Sequence, residues 1–146
     1  MMDSTLIAYI ALALLVLFLL ADWLAPYHSL SVEGCRISYV YDGDTVELTC
    51  PSRTETARLS GFDTPEIKSP RCEAEAALGA RATERLRALV NGTVTLDGQG
   101  REKYGRLLVR VTADGRDVGD LLIREGLAVR YAGGTRVDWC DRLEAE

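Results

Sequence analysis

Histidine is almost missing from this chain: His28 is the only one in 146 residues. Zinc centres built on imidazole, and reactions that need a histidine general base, therefore have little to draw on. The four cysteines offer no Cys-x-x-Cys spacing, which argues against a thiolate metal cluster. Basic charge is scarce too, with 17 Lys and Arg against 22 Asp and Glu and a formal net charge of −5. Such a chain has no broad positive field of the kind that supports non-specific nucleic-acid binding, so a polyanionic substrate must be captured by local arginines. No Lys or Arg precedes Arg36, so flanking charge gives the first segment no orientation. Internal repeats and low-complexity tracts are absent as well.

The first segment is rich in apolar residues instead. Leu6 to Ala21 is interrupted only by the Tyr9 hydroxyl, and the run reaches Leu24 if Asp22 sits at an interface. At 1.5 Å per residue, a helix of residues 6–24 nearly crosses a hydrocarbon core of about 30 Å, with Trp23 and Tyr27 as interfacial aromatics. Residues 1–25 are thus expected to form a transmembrane anchor, making the membrane a partner. A cleaved secretory signal is the alternative, opposed by the missing basic start and a poor small-x-small cleavage pattern. Residues 26–34 read as a linker, and 35–146 as one domain with a single core. No protein partner can be inferred.

In that domain, Cys35–Tyr41 and Asp44–Cys50 read as strands about Asp42-Gly43, a strong hairpin dipeptide. A two-residue loop sets Ile37 opposite Leu48, Tyr39 opposite Val46 and Cys35 opposite Cys50 on one apolar face. That register makes a Cys35–Cys50 disulfide reasonable and leaves Cys72 with Cys140, although four cysteines allow three connectivities. Paired cysteines suit an oxidising compartment, so the domain is expected outside the cytoplasm, secreted if the first segment is cleaved. Four reduced thiols in a cytosolic protein are the alternative.

Thr54–Gly61 reads as a third strand that turns Arg58 away from the face carrying Ala57 and Leu59. After a loop through Arg71, Ala74, Leu78, Ala82, Leu86 and Leu89 form a helical stripe, with Glu75 and the arginines mostly facing elsewhere and Gly79 a possible start of regular helix. Thr93–Asp97 and Arg106–Ala113 are further strands, joined by a polar connector, Gly98–Gly105. Asp114-Gly115 turns the chain into a short helix, Val118–Glu125, and then an extended piece, Leu127–Tyr131. The fold class is mainly β with helices (α+β): a five-stranded OB-type barrel with packed helices, preceded by the transmembrane helix. Alternation alone does not separate this from other small barrels. The tail after Gly133 leaves no room for a further substantial helix with its connector.

The chemistry-bearing residues gather early. Asp42-Gly43-Asp44-Thr45-Val46, Arg58 and Asp63-Thr64-Pro65-Glu66 bring carboxylates from separate segments around an arginine. Two such carboxylates can share a hard divalent cation, a third can handle a proton, and the arginine can hold an anion. With Lys103-Tyr104-Gly105-Arg106 and Gly126-Leu127-Ala128, these blocks resemble, in order, the thermonuclease family of the micrococcal or staphylococcal nuclease type. The resemblance covers about residues 35–131. It implies an OB-fold barrel, one calcium ion, and cleavage of DNA and RNA to 3′-phosphate and 5′-hydroxyl ends.

Carried over by motif, the resemblance implies Asp44 and Asp63 as calcium ligands, with the Thr64 carbonyl beside them, and Arg58, Glu66 and Arg106 as catalytic residues. Lys103 and Tyr104 match positions that contact the nucleotide's terminal phosphate, and Tyr131 lies near another nucleotide-facing tyrosine. Single-stranded DNA or RNA is then the expected partner. Each residue also has a plainer use, Asp44 as a turn residue and Arg58 or Arg106 as an ion-pair partner among them. The chain departs from the staphylococcal type in its acidity, a shorter loop after Glu66 and the missing C-terminal helix. A non-catalytic, membrane-anchored nucleic-acid-binding or protein-interaction module is the competing class.

Overall fold

The computed structural model describes residues 4–24 and 32–145. Helix α1 (Ser4–Leu24) comes first. Among the described residues, no helix is long and apolar enough to cross a membrane. This overturns the transmembrane helix expected through residues 6–24, and the membrane as a partner with it. The side chain of Trp23, and Tyr27, His28 and the linker as far as Ser31, lie outside the described residues.

Strands β1 (Arg36–Val40) and β2 (Thr45–Thr49) form the antiparallel hairpin, with Ile37 facing Leu48. A register shift between Ile37 and Tyr39 then corrects the expected pairing: Tyr39 faces Glu47 and Val40 faces Val46. One extra residue reverses which side chain points inward, so Tyr39 is 53% exposed and Val40 is buried. The connection is longer than two residues, and the Tyr41 N–H closes it on the Thr45 carbonyl at 2.9 Å. Strand β3 (Thr54–Leu59) pairs antiparallel with β2. It stops short of Gly61, whose φ of 93° turns the chain into β4 (Gly61–Asp63). That turn aims Asp63 inward instead of letting the strand run on.

Helix α2 (Glu73–Val90) and strand β5 (Val94–Arg101) carry the chain to β6 (Leu107–Ala113), which lies parallel to β3. A parallel pair needs such a long crossover. Gly79 sits inside α2 and does not start it: a Cβ there would meet Ile67 Cγ2 and the Pro65 carbonyl at 2.8 Å. The helix therefore packs hard against the 65–67 loop. Ala74 is exposed and Glu75 buried, the reverse of the expected stripe. Strand β5 extends through half of the segment read as a polar connector, because pairing with β6 and a bulge at Gly98–Gly100 accommodate its two glycines.

Asp114 and Gly115, at φ 50° and 75°, make the turn into β7 (Arg116–Asp117), which pairs with β6. Helix α3 (Val118–Arg124) is N-capped by Asp117, whose carboxylate accepts from the Asp120 N–H at 2.9 Å. Strand β8 (Val129–Tyr131) pairs with β4 in a separate two-stranded sheet, and the tail ends in helix α4 (Trp139–Glu144). The main sheet runs β1-β2-β3-β6-β5, with β7 beside β6. Among the described residues nothing pairs β5 with β1, so the fold is a mixed half-barrel with helices, of the α+β class and consistent with an OB-type arrangement. Its core is sealed by Val46, Leu48, Ala57, Leu86, Leu107, Val109 and Leu122.

Candidate active site

Arg58 is the centre of the site. The β2–β3 register places it beside Thr45, and only 8% of it is exposed. Its Nη1 lies 2.6 Å from Asp44 Oδ1 and its Nη2 lies 3.2 Å from Asp63 Oδ1. Nη2 also donates to the Phe62 carbonyl at 3.1 Å. Burial works against the Arg58 charge, but Asp44 and Asp63 more than offset it and hold its pKa above the ordinary value. A buried arginine with two carboxylates fixes the spacing of both acids.

The acids are further pinned by the backbone. Asp44 Oδ2 accepts from the Thr64 N–H at 3.2 Å, tying the hairpin turn to the loop after β4. The Asp44 N–H in turn donates to Asp42 Oδ1 at 3.0 Å. Gly43 is required here, since a Cβ would lie 2.7 Å from Thr64 Oγ1. Burial raises the Asp42 carboxyl above its usual range, and the neighbouring Asp44 charge adds to this. Burial likewise raises Asp63, aided by Asp44 and partly offset by Arg136 and Trp139.

Glu66 follows on a loop organised by α2. The buried Glu75 accepts from the Glu66 N–H at 3.3 Å and the Arg71 N–H at 2.7 Å, which explains why a charged side chain occupies the inner face of that helix. Arg106, at the start of β6, pairs with Glu102 across the turn after β5. Asp42, Asp44, Arg58, Glu66, Tyr104, Arg106, Tyr131 and Arg136 all border one cleft of about 580 Å³. Tyr131 offers its ring to the Arg58 guanidinium at 5.6 Å. Lys103 borders a neighbouring hollow instead, its ammonium 4.7 Å from the exposed Tyr104 ring.

The C-terminal tail completes the site, and sequence reasoning missed it. Arg136 Nε lies 2.6 Å from Asp63 Oδ1 and Nη1 lies 2.8 Å from Glu66 Oε1, while Nη2 donates to the Thr64 carbonyl at 3.4 Å. The buried Trp139 donates from Nε1 to Asp63 Oδ2 at 3.2 Å. Burial opposes the Arg136 charge, yet Asp63 and Glu66 raise its pKa well beyond the ordinary value. Asp138 caps α4 and accepts from Arg71 Nη1 at 2.6 Å, and a Cys72–Cys140 disulfide joins α4 to the start of α2. A second disulfide joins Cys35 to Cys50. The signal was present: Trp139-Cys140 could be paired with Cys72, and residues a few places before Cys140 must then lie near the Asp63–Glu66 loop.

A family model described as staphylococcal nuclease homologue matches residues 56–144. The chain belongs to this family. The match begins within β3 and runs into α4, so it includes the tail that supplies Arg136 and Trp139. Among curated relatives, the SPbeta prophage-derived endonuclease YokF of Bacillus subtilis is 37% identical over 110 residues, covering 72% of this chain and 37% of that protein. The endonuclease YncB of the same organism is 41% identical over 110 residues, covering 72% of this chain and 52% of that protein. An uncharacterized endonuclease of Escherichia coli O157:H7 is 35% identical over 119 residues, covering 80% and 71%. The chain thus spans between about a third and a half of the length of the two Bacillus relatives.

The residues at the acid pair fit a hard divalent cation. Asp44, Asp63 and the Thr64 carbonyl offer oxygen donors alone, brought together by the Asp44 bond to the Thr64 N–H. Elsewhere among the described residues, Cys72, Glu75 and Cys140 bring ligand atoms within 4.8 Å of one another, but both sulfurs are spent in the disulfide.

Proposed function

We propose that this nuclease-family chain hydrolyses DNA, RNA or both as single strands, with calcium as cofactor, leaving 3′-phosphate and 5′-hydroxyl ends. The observation that carries this reading is the convergence of Asp44, Arg58, Glu66 and Arg106 on one cleft from separate segments, with the buried Asp63 bonded to the cleft residues Arg58 and Arg136. The endonuclease names of the relatives support it further. Asp44, Asp63 and the Thr64 carbonyl would hold the calcium, which supplies Lewis-acid polarisation of a phosphoryl oxygen.

The remaining work falls to side chains. Glu66, about two-fifths exposed at its side chain, takes the proton of an attacking water as the water oxygen bonds to phosphorus. The bond from phosphorus to the 5′-oxygen breaks, and that oxygen takes up a proton. Arg106, whose partner Glu102 lies at the cleft edge, turns to the equatorial oxygens where negative charge accumulates, and Arg58 adds fixed positive charge below them. Tyr104 and Tyr131 give bases sequence-tolerant stacking faces, and Lys103 meets a terminal phosphate. The paired cysteines support residues 35–146 working as one domain outside the cytoplasm.

End-group analysis tests the reaction. The full chain incubated with a labelled single-stranded oligonucleotide and calcium should leave products that a phosphatase can trim at their 3′ ends, with magnesium a poor substitute because it sheds its waters reluctantly. Products with 3′-hydroxyl ends would reject this chemistry. Folded protein that binds the oligonucleotide but never cuts it would instead favour a binding module.

A further inference from the structure

The donor set described above is already partly taken by the chain itself. Asp63 Oδ1 accepts from Arg58 Nη2 and from Arg136 Nε, which uses both of its lone pairs. Asp63 Oδ2 accepts from Trp139 Nε1, and Asp44 Oδ1 faces both Arg58 and Thr45 Oγ1. The Thr64 carbonyl receives Arg136 Nη2. Asp63 Oδ2 and the Thr64 carbonyl each keep one lone pair, so a cation that gathers both meets the positive Arg136 guanidinium already spanning these two residues. The two arginines on Asp63 differ sharply. Arg58 is buried on a central strand between two acids, whereas the Arg136 side chain is 43% exposed and stands on the irregular segment between β8 and α4.

We propose that Arg136 is a built-in competitor for the divalent cation: its guanidinium occupies Asp63, Glu66 and the Thr64 carbonyl in the cation-free chain and sets how much cation is needed to load the site. This rests on the reading of Asp44, Asp63 and Thr64 as cation ligands. Asp42, Asp44, Asp63 and Glu66 gather four carboxylates against Arg58 and Arg136, so an organic cation here keeps the acids from repelling one another until a metal arrives. Displacement also frees Glu66 from its ion pair at the moment a proton acceptor is wanted. Trp139 and the Cys72–Cys140 bond anchor the tail just beyond, so the freed guanidinium remains beside the cleft. Arg136 is thus a residue that sets affinity for the cation, acting through the ligands.

Calorimetric titration of the full chain with calcium, in the absence of nucleic acid, reads this directly. Arg136→Gln should bind calcium about tenfold more tightly than the parent, and Arg136→Lys should fall between them, because an ammonium competes but cannot span three oxygens. A folded Arg136→Gln variant with unchanged or weaker affinity would overturn the competition. Should that variant fail to fold, the arginine Nε–H resonance of Arg136 in the parent decides. It should move away from its carboxylate-bonded position as calcium is added, and a resonance that stays while calcium binds would overturn the proposal. Calcium binding by the parent without either effect removes the competition and leaves the nuclease reading standing. No calcium binding by parent or variant removes both.

Discussion

The floor and the rim of the cleft are built on opposite principles. On the floor, Arg58, Asp44 and Asp63 are each less than a tenth exposed and are locked by one another, by the Thr64 N–H and by Trp139. On the rim, Tyr104 is 76% exposed and Arg106 pairs, among the described residues, with Glu102 on the same turn. The floor therefore couples chemistry to folding, because a lost partner leaves a buried charge. The rim separates them, since its residues can be changed without disturbing anything packed beneath. A substitution that damages both fold and function marks the first kind, and one that alters turnover or substrate affinity while leaving the fold intact marks the second.

Arg58→Ala should break the floor most severely. It strands two buried carboxylates, which costs about 3–5 kcal/mol, and cleavage should fall below detection; an unfolding midpoint equal to the parent's would refute the coupling. Glu66→Gln comes next. It keeps the loop and its Glu75 contacts, so stability should hold and calcium affinity should not fall, while turnover drops about 10²–10⁴-fold. On the rim, Tyr104→Ala should raise KM by roughly tenfold through lost stacking, about 1–3 kcal/mol per base, with turnover and melting temperature unmoved. A fall in melting temperature there would place Tyr104 with the floor.

The smallest effect is expected away from the cleft. Glu55 is partly desolvated, which raises its carboxyl, but Arg53 and Arg101 outweigh that and hold it below the ordinary value. Its contribution is present above the usual carboxylate range and is lost as pH falls through the lowered pKa. Glu55→Gln should then cost under about 1 kcal/mol near neutrality, less in high salt, and nothing in acid. Denaturant titrations at two pH values measure the difference.

Legibility in the sequence follows the same division. The β1–β2 hairpin and the Arg58 strand could be read because turn dipeptides and alternation act locally, whereas the longer turn and the pairing of residues 61–63 with β8 could not. Tyr39 was turned the wrong way because a bulge is decided by the cross-strand partner. Strand β5 was cut short because pairing with β6 outweighs glycine's poor strand preference. Arg136 and Trp139 reach Asp63 only across 73 and 76 positions of chain, a proximity that no local pattern carries. Glu75 was placed outward because its polar partners, two backbone N–H groups, are invisible without the loop. The Cys35–Cys50 bond, by contrast, is legible in the hairpin register, which leaves Cys72 to Cys140.

Calcium-dependent cleavage in the parent and in Asp44→Ala, measured in single turnovers on one labelled strand, bears most directly on the floor as the catalytic centre. The parent rate should rise with calcium to a plateau and vanish with a chelator, and the variant should stay at least about a hundredfold slower at every calcium concentration. Equal rates in the two proteins, or cleavage that persists when calcium is chelated, would contradict it.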